Sequence, residues 1–237
     1  MEQITTLRLV CNYAAYKKRK LYVLFVDFSK AYDRVPRGKL VESLKHSGCG
    51  KMMIKAIKAM YTCTKNVLKS AVIDSSIGVR QRAPTSWLLF TLYIDNMLKM
   101  LKNEITVDSF LGNLHVLLLM DDAVILSSSR EMCEKLNIVL EHCNQYGMVI
   151  NEKKTTFFVT NGQETDRQDL RAGGVSVRYA ARYLYLGAWF TDTAKLDDVI
   201  NLHEAANEAV VNKFSIFCAA NTQMLFMYKK KVKNKKK

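Results

Sequence analysis

Residues 21–26 form an unbroken apolar run, Leu21-Tyr22-Val23-Leu24-Phe25-Val26, that ends on Asp27, and this run constrains the chain more than any other feature. A strand that is apolar at every position has to be covered on both faces, so it belongs in the interior of a sheet. Two further runs, residues 116–120 and 123–126, are separated only by Asp121 and Asp122. Their spacing predicts a strand-turn-strand with two acids at its exposed tip. Aspartate at a strand end also serves turns through its own side-chain hydrogen bonds, so neither feature alone specifies chemistry. Together they would gather three carboxylates, which repel one another unless cations neutralise them. Hard divalent ions with oxygen ligands, Mg²⁺ above all, are the usual solution, and they bind substrate phosphates as well. Two such ions about 3.5–4 Å apart clamp the attacking and leaving oxygens of a displacement at phosphorus. Nucleotidyl transfer is the chemistry this pattern suggests first.

The rest of the chain reads as an α+β order with the acids on neighbouring strands of one sheet. Ile4, Leu7, Val10, Cys11 and Ala14 recur at helical spacing and predict an amphipathic opening helix that ends in the basic run 17–20. Residues 39–46 and 51–61 predict two helices separated at Gly48 and Gly50, with Leu40, Leu44, Ile54, Ile57 and Met60 turned inward. Pro84 suits the first turn of a long helix running from Thr85 to about Leu101. Residues 103–113 read as a loop. Ser128 and Glu131 form an S-x-x-E capping box, and Met132, Leu136, Val139, Cys143 and Tyr146 step along one helix face until Gly147 stops it. Short strands are expected at residues 148–150, 156–159, 175–179 and 183–186. Residues 196–227 read as helical.

The 237 residues, 49% of them hydrophobic, suffice for one large domain with a real core. The net charge of +14 is unevenly placed, because residues 229–237 hold seven lysines in nine positions. Such a tail has no apolar face to pack and is expected to be disordered, a solvated or import-like basic run, or a sequence-independent contact to a polyanion. Six cysteines show no C-x-x-C spacing and the four histidines complete no zinc pattern. Reduced core thiols fit an intracellular protein, cytoplasmic or nuclear. No apolar run approaches the roughly 18 residues of a membrane span, and no signal-like segment opens the chain.

The segment Phe25-Val26-Asp27-Phe28-Ser29-Lys30-Ala31-Tyr32-Asp33-Arg34-Val35-Pro36 resembles the first palm motif of reverse transcriptases from non-LTR (LINE-type) retrotransposons. Gly78-Val79-Arg80-Gln81, followed by Pro84, Ser86 and Leu88-Leu89-Phe90, resembles the second, and Leu119-Met120-Asp121-Asp122 the third, the aromatic-x-Asp-Asp box. Gly147-Met148-Val149-Ile150-Asn151 with Lys154-Thr155 is similar to the fourth, and Tyr185-Leu186-Gly187 to the primer-grip turn. Five motifs in the family's order, over about residues 1–225, are more specific than any single short pattern. The resemblance implies a palm with an antiparallel sheet backed by helices over residues 1–195, including a remnant of the fingers before Asp27. Partial thumb helices over 196–228 and the disordered tail over 229–237 would follow. Asp27, Asp121 and Asp122 become the metal-binding, catalytic acids for two Mg²⁺ ions, or Mn²⁺. Tyr32 would lie under the sugar of the incoming nucleotide, where a ring excludes a 2′-hydroxyl. Gln81 would contact that nucleotide or the template base beside it. Lys154 would stand near the triphosphate, and Leu186 and Gly187 would grip the primer. RNA template, DNA primer and deoxynucleoside triphosphates are the implied partners.

Two departures lie inside the motifs. Leu119 replaces the usual aromatic residue, and Arg82 stands where the family has Gly, adding bulk and charge where backbone should approach the nucleotide. Pre-palm sequence and thumb are both short, so the chain reads as a truncated polymerase body. Three readings follow: an RNA-directed DNA polymerase palm, a non-catalytic nucleic-acid-binding remnant that keeps the fold, and a metal-dependent nuclease or phosphatase. Tyr32, Gln81 and the Leu186-Gly187 turn argue against the last, which needs neither a sugar gate nor a primer grip.

Overall fold

A computed structural model describes residues 2–195, apart from 63–64, 69–70, 75–76, 81–82, 105–107 and 109, together with 198 and 202. The expected helices of residues 196–227, the lysine tail, Gln81 and Arg82 lie outside the described residues, 198 and 202 excepted. Chain order is α1 (Glu2–Tyr16), β1 (Leu21–Asp27), α2 (Ala31–Arg34), α3 (Arg37–His46), α4 (Lys51–Thr62), β2 (Lys65–Leu68), β3 (Ala71–Asp74) and α5 (Ser86–Glu104). It continues with β4 (Val116–Leu119), β5 (Asp122–Ser127), α6 (Met132–Tyr146), β6 (Thr156–Thr160), a 3₁₀ turn (Glu164–Arg167), β7 (Leu170–Ala172), β8 (Val175–Tyr179), β9 (Arg182–Tyr185) and β10 (Ala188–Thr191).

The six-stranded sheet has the order β4-β5-β1-β6-β8-β7, with β6 and β8 its one parallel pair. β1 is central and buried on both faces, as its composition requires. Tyr22, Leu24 and Val26 point into a core completed by α3, α4, α5 and α6. Leu21, Val23 and Phe25 point the other way, into a second core closed by Leu7, Cys11 and Ala14 of α1 and by Tyr185 and Phe190 of the β9-β10 hairpin. Each of these six strand side chains is almost fully covered, a burial that contributes roughly 1.5–3 kcal/mol per large apolar group. Putting Asp27 at the end of so strongly anchored a strand fixes it in space.

Several local expectations are corrected. The hairpin turn is Met120-Asp121, not Asp121-Asp122: Leu119 pairs with Asp122, so Asp122 is the first residue of β5 and half-buried. Glu131 caps α6 without a side-chain hydrogen bond, because the Ser128 hydroxyl donates instead to Asp108 Oδ2 at 2.7 Å. Met60 is exposed, and Tyr61 takes the inward position on α4. Pro84 and Thr85 form a turn just ahead of α5, which extends to Glu104. Residues 148–150 make only an isolated bridge, Phe28 to Ile150. β7, β10 and the β2-β3 hairpin were not expected. Gly147 does end α6, in the left-handed conformation at φ 67°.

Candidate active site

Antiparallel pairing places Asp27 directly opposite Asp122 on neighbouring strands. Residues so paired have Cα atoms roughly 4.5–5.5 Å apart. Asp121, in the adjoining turn, lines a cavity of about 770 Å³ together with Asp27, Phe28, Ser29, Lys30, Ala31, Tyr32, Arg34, Asn151 and Lys154. The three acids expected from the sequence are thus gathered at one end of the sheet. They do not form a ready-made metal cluster: among the described residues no group of three or more His, Cys, Asp or Glu side chains stands in that arrangement.

Electrostatics at the strand ends still favours a cation. Burial raises the Asp122 carboxyl above the ordinary carboxylate range, and the negative charges of Asp121 and Asp27 raise it further, against the opposing pull of Lys154. Asp27 is already partnered: Asn151 Nδ2 donates to its Oδ2 at 3.0 Å, and Lys154 Nζ lies 3.8 Å from its Oδ1. Its backbone is clasped as well, since Asp27 N donates to Thr155 Oγ1 at 3.2 Å and Asn151 N donates to Asp27 O at 2.8 Å. The turn after α6 therefore orients the acid through main chain and side chain at once. Asn151 and Thr155 carry no role in the sequence reading, although both stand in the segment resembling the fourth motif.

Tyr32 sits on the short helix α2, entered through Lys30 in the left-handed conformation at φ 50°. Its ring stacks on Phe90 with centroids 4.6 Å apart. Burial, then the charge of Asp121, pushes its phenol above the usual range, so it stays neutral. Gly78 N and Val79 N donate to Val35 O and Tyr32 O, each at 2.8 Å, which lashes the segment leading to Gln81 against this helix. Gly78 has φ +83°, and a Cβ there would fall 2.9 Å from Asp33 O. Glycine is required on both counts.

Leu186 and Gly187, at φ 49° and 82°, form the turn of the β9-β10 hairpin. Tyr183 stacks on Phe25 at 4.2 Å. The phenols of Tyr183 and Tyr185 are raised first by burial and then by charge, from Asp27 and Asp122 for Tyr183 and from Asp122 for Tyr185, the latter to about 12. The hairpin thus approaches the acidic strand ends, a proximity that sequence spacing did not reveal.

The profile described as reverse transcriptase (RNA-dependent DNA polymerase) matches residues 2–190. The chain belongs to the reverse transcriptase family. Among curated relatives it is 24% identical, over 217 residues, to the Pol polyprotein of a type-1 R2 retrotransposable element from Nasonia vitripennis, covering 85% of this chain and 21% of that protein. It is 23% identical to the Pol polyprotein of R2DM from Drosophila melanogaster, covering 82% and 20%. This reverse transcriptase domain spans about a fifth of the length of those relatives, which are consistent with its LINE-type motifs. Apo telomerase from Candida tropicalis has a similar structure, with a TM-score of 0.59 at 15% identity over 82% of this chain and 35% of that one. The same telomerase in complex with a TWJ fragment of telomeric RNA gives 0.56 at 16% identity, over 82% and 32%. The fold is a reverse transcriptase palm. Among the described residues no helix is long and apolar enough to cross a membrane.

Proposed function

We propose that this domain is an RNA-directed DNA polymerase palm that extends a primer 3′-hydroxyl with deoxynucleoside triphosphates on an RNA template. The direct Asp27–Asp122 pair, with Asp121 beside it at the mouth of the cavity, carries the reading. Two like charges opposite each other on a sheet are destabilising, and burial sharpens the conflict, so the arrangement fits a bound cation. Asp27, Asp121 and Asp122 would hold Mg²⁺ or Mn²⁺ ions, which when bound neutralise phosphate charge and clamp the attacking and leaving oxygens. Asn151 keeps the Asp27 carboxylate oriented through its 3.0 Å hydrogen bond. Lys154, with an exposed side chain, is free to exchange its partner Asp27 for a phosphate of the nucleotide or its leaving pyrophosphate. Lys30 and Arg34 add two further cationic residues to the cavity lining. Tyr32, backed by Phe90, forms a rigid neutral wall where the sugar would lie, and Gln81, two positions after Val79 in sequence, would contact the incoming nucleotide or the template base beside it. Leu186 and Gly187 would hold the primer end from the opposite face. Residues 1–195 form the palm body in this reading, with the fingers segment before Asp27, and 196–228 begin the thumb.

Extension of oligo(dT) on poly(rA) in Mg²⁺ or Mn²⁺ tests the proposal. Product from wild type and none from Asp122→Asn is the expected result. Retarded template with no product in any condition would assign the chain to nucleic-acid binding without catalysis.

A further inference from the structure

The junction between α1 and β1 carries an aromatic and cationic cluster that takes no part in the site above. Tyr16 is 78% exposed and Tyr13 52% exposed, one turn apart on α1. Tyr13 stacks nearly parallel on Phe110, with centroids 5.5 Å apart and planes 7° apart, which holds its ring rigid. Lys17 Nζ lies 5.8 Å from the centre of the Tyr13 ring and 5.2 Å from that of Tyr16, and the Arg19 guanidinium lies 5.9 Å from that of Phe110. Lys18 is exposed beside them. Lys20, the fourth cation of the run, is committed elsewhere, to Asp166 Oδ2 at 2.7 Å. The ion pairs among the described residues leave Lys17, Lys18 and Arg19 without a carboxylate partner.

Core packing accounts for Phe110 and, through it, for the stacked Tyr13, but not for the exposed Tyr16 or the three cations. The buried side of α1 is Leu7, Cys11 and Ala14, and the two tyrosines project away from it. A fixed ring next to a freely exposed one, flanked by three uncompensated cations, combines the two elements that bind single-stranded nucleic acid: a face for base stacking and charge for the backbone. An apolar protein partner would have to desolvate those cations, and a duplex offers no free base face to the rings. Since β1 rises about 3.3 Å per residue, the cluster lies about 20 Å from Asp27, at the opposite end of the strand. We infer that Tyr13, Tyr16, Lys17, Lys18 and Arg19 form a second nucleic-acid site, which binds an unpaired strand by base stacking, distinct from the cavity at Asp27. Nothing in the inference depends on polymerase activity.

The test compares two oligonucleotides of equal length, uridine 12-mers with and without bases, bound to the full chain in chelator so that the acidic site is silent. Tyr13→Ala with Tyr16→Ala is expected to weaken binding of the base-bearing strand roughly five-fold or more, to leave the abasic strand unaffected, and to preserve the salt slope. Lys17→Ala with Arg19→Ala is expected to weaken both strands and flatten the slope by about one unit or more. Circular dichroism melts confirm that both variants fold. Equal weakening of the two strands by the tyrosine variant, or none, overturns the inference. Failure of primer extension does not bear on it.

Discussion

Replacing Asp122 by asparagine separates the electrostatic cost of its carboxylate from its use. The residue faces Asp27 across the sheet with Asp121 next in sequence, and its side chain accepts no hydrogen bond among the described residues, so the isosteric amide loses no contact there. Like charges opposite each other on neighbouring strands cost roughly 0.2–1 kcal/mol, of which Lys154 offsets a part. In chelator at pH 7 the variant should gain roughly 0.5–1 kcal/mol and melt about 1–4 °C above wild type. The sign with pH follows from linkage. A carboxyl raised in the folded state keeps its proton when the unfolded chain has lost it, so wild type loses stability as pH rises from the ordinary aspartate range through the raised value. Asp122→Asn should flatten that limb. Divalent ions reverse the order. At a Mg²⁺ concentration one hundred times its dissociation constant wild type gains about 2.7 kcal/mol, whereas a variant that binds about a hundred-fold more weakly gains only about 0.4. A loss of that size is reasonable for a ligating carboxylate when outer partners alone are worth 10–100-fold. Wild type should then melt about 3–7 °C above the variant. Thermal melts followed by circular dichroism, with chelator and with excess Mg²⁺, read both arms. A variant that melts below wild type in chelator, or shows the same Mg²⁺-dependent rise, would falsify the assignment of Asp122 as an ion ligand under strain.

Gly78→Ala should destabilise the fold by roughly 2 kcal/mol or more in urea titration, since a side chain there meets both a positive φ and the Asp33 carbonyl; a loss under 0.5 kcal/mol would mean the segment lies elsewhere. Tyr32→Val should raise incorporation of ribonucleotides relative to deoxyribonucleotides in competition extension while leaving the melting temperature within a few degrees, and an unchanged ratio would remove Tyr32 from the sugar pocket. Asp166 is a structural control. Burial opposes its ionisation, but hydrogen bonds from Lys20, Tyr22 and the Gln163 amide outweigh it and hold its pKa at about 2, against an ordinary value of 3.8. The depressed value contributes stability that is complete above about pH 4 and disappears as pH falls toward 2, so Asp166→Asn should cost about 2 kcal/mol at pH 7 and blunt the acid limb of a pH-dependent urea series.

Much of the site was legible because it is built from local signals. The apolar run of β1, the acid at its end and the Gly147 stop each follow from periodicity or turn chemistry within a few residues, whereas the Leu186-Gly187 turn came from the family resemblance, periodicity alone having carried the strand through Leu186. Long-range competition was not legible. Ser128 reads as a helix cap until Asp108, twenty positions earlier in the chain, offers an ionised acceptor to both its hydroxyl and its amide at 2.7 and 3.0 Å. Lys135 has no place in the sequence reading of α6, yet it is 1% exposed and donates to Leu126 O at 2.7 Å. Asn151 and Thr155 acquire their meaning from β1, more than a hundred residues away.

The one-residue error at the hairpin tip has the largest consequence for chemistry. Turn preferences assign positive φ to Gly or Asn, yet Met120 adopts it here at 56°, at a conformational cost of about 1–2 kcal/mol that no sequence signal announces. A turn over Asp121-Asp122 would leave both carboxylates in water, equivalent and close to their ordinary acidity. The turn over Met120-Asp121 pulls Asp122 into the first ladder position of β5, opposite Asp27, and leaves Asp121 alone at the cavity mouth. The two adjacent acids thereby become unlike. Asp122 is the strained one, raised by burial and by both neighbours, and Asp121, half-buried like it, lines the cavity near Tyr32. An exposed methionine held in an unfavourable backbone well is therefore what differentiates the pair. Met120→Gly, which relieves that cost without touching a carboxylate, should stabilise the hairpin while leaving the Mg²⁺-dependent melting shift of wild type in place.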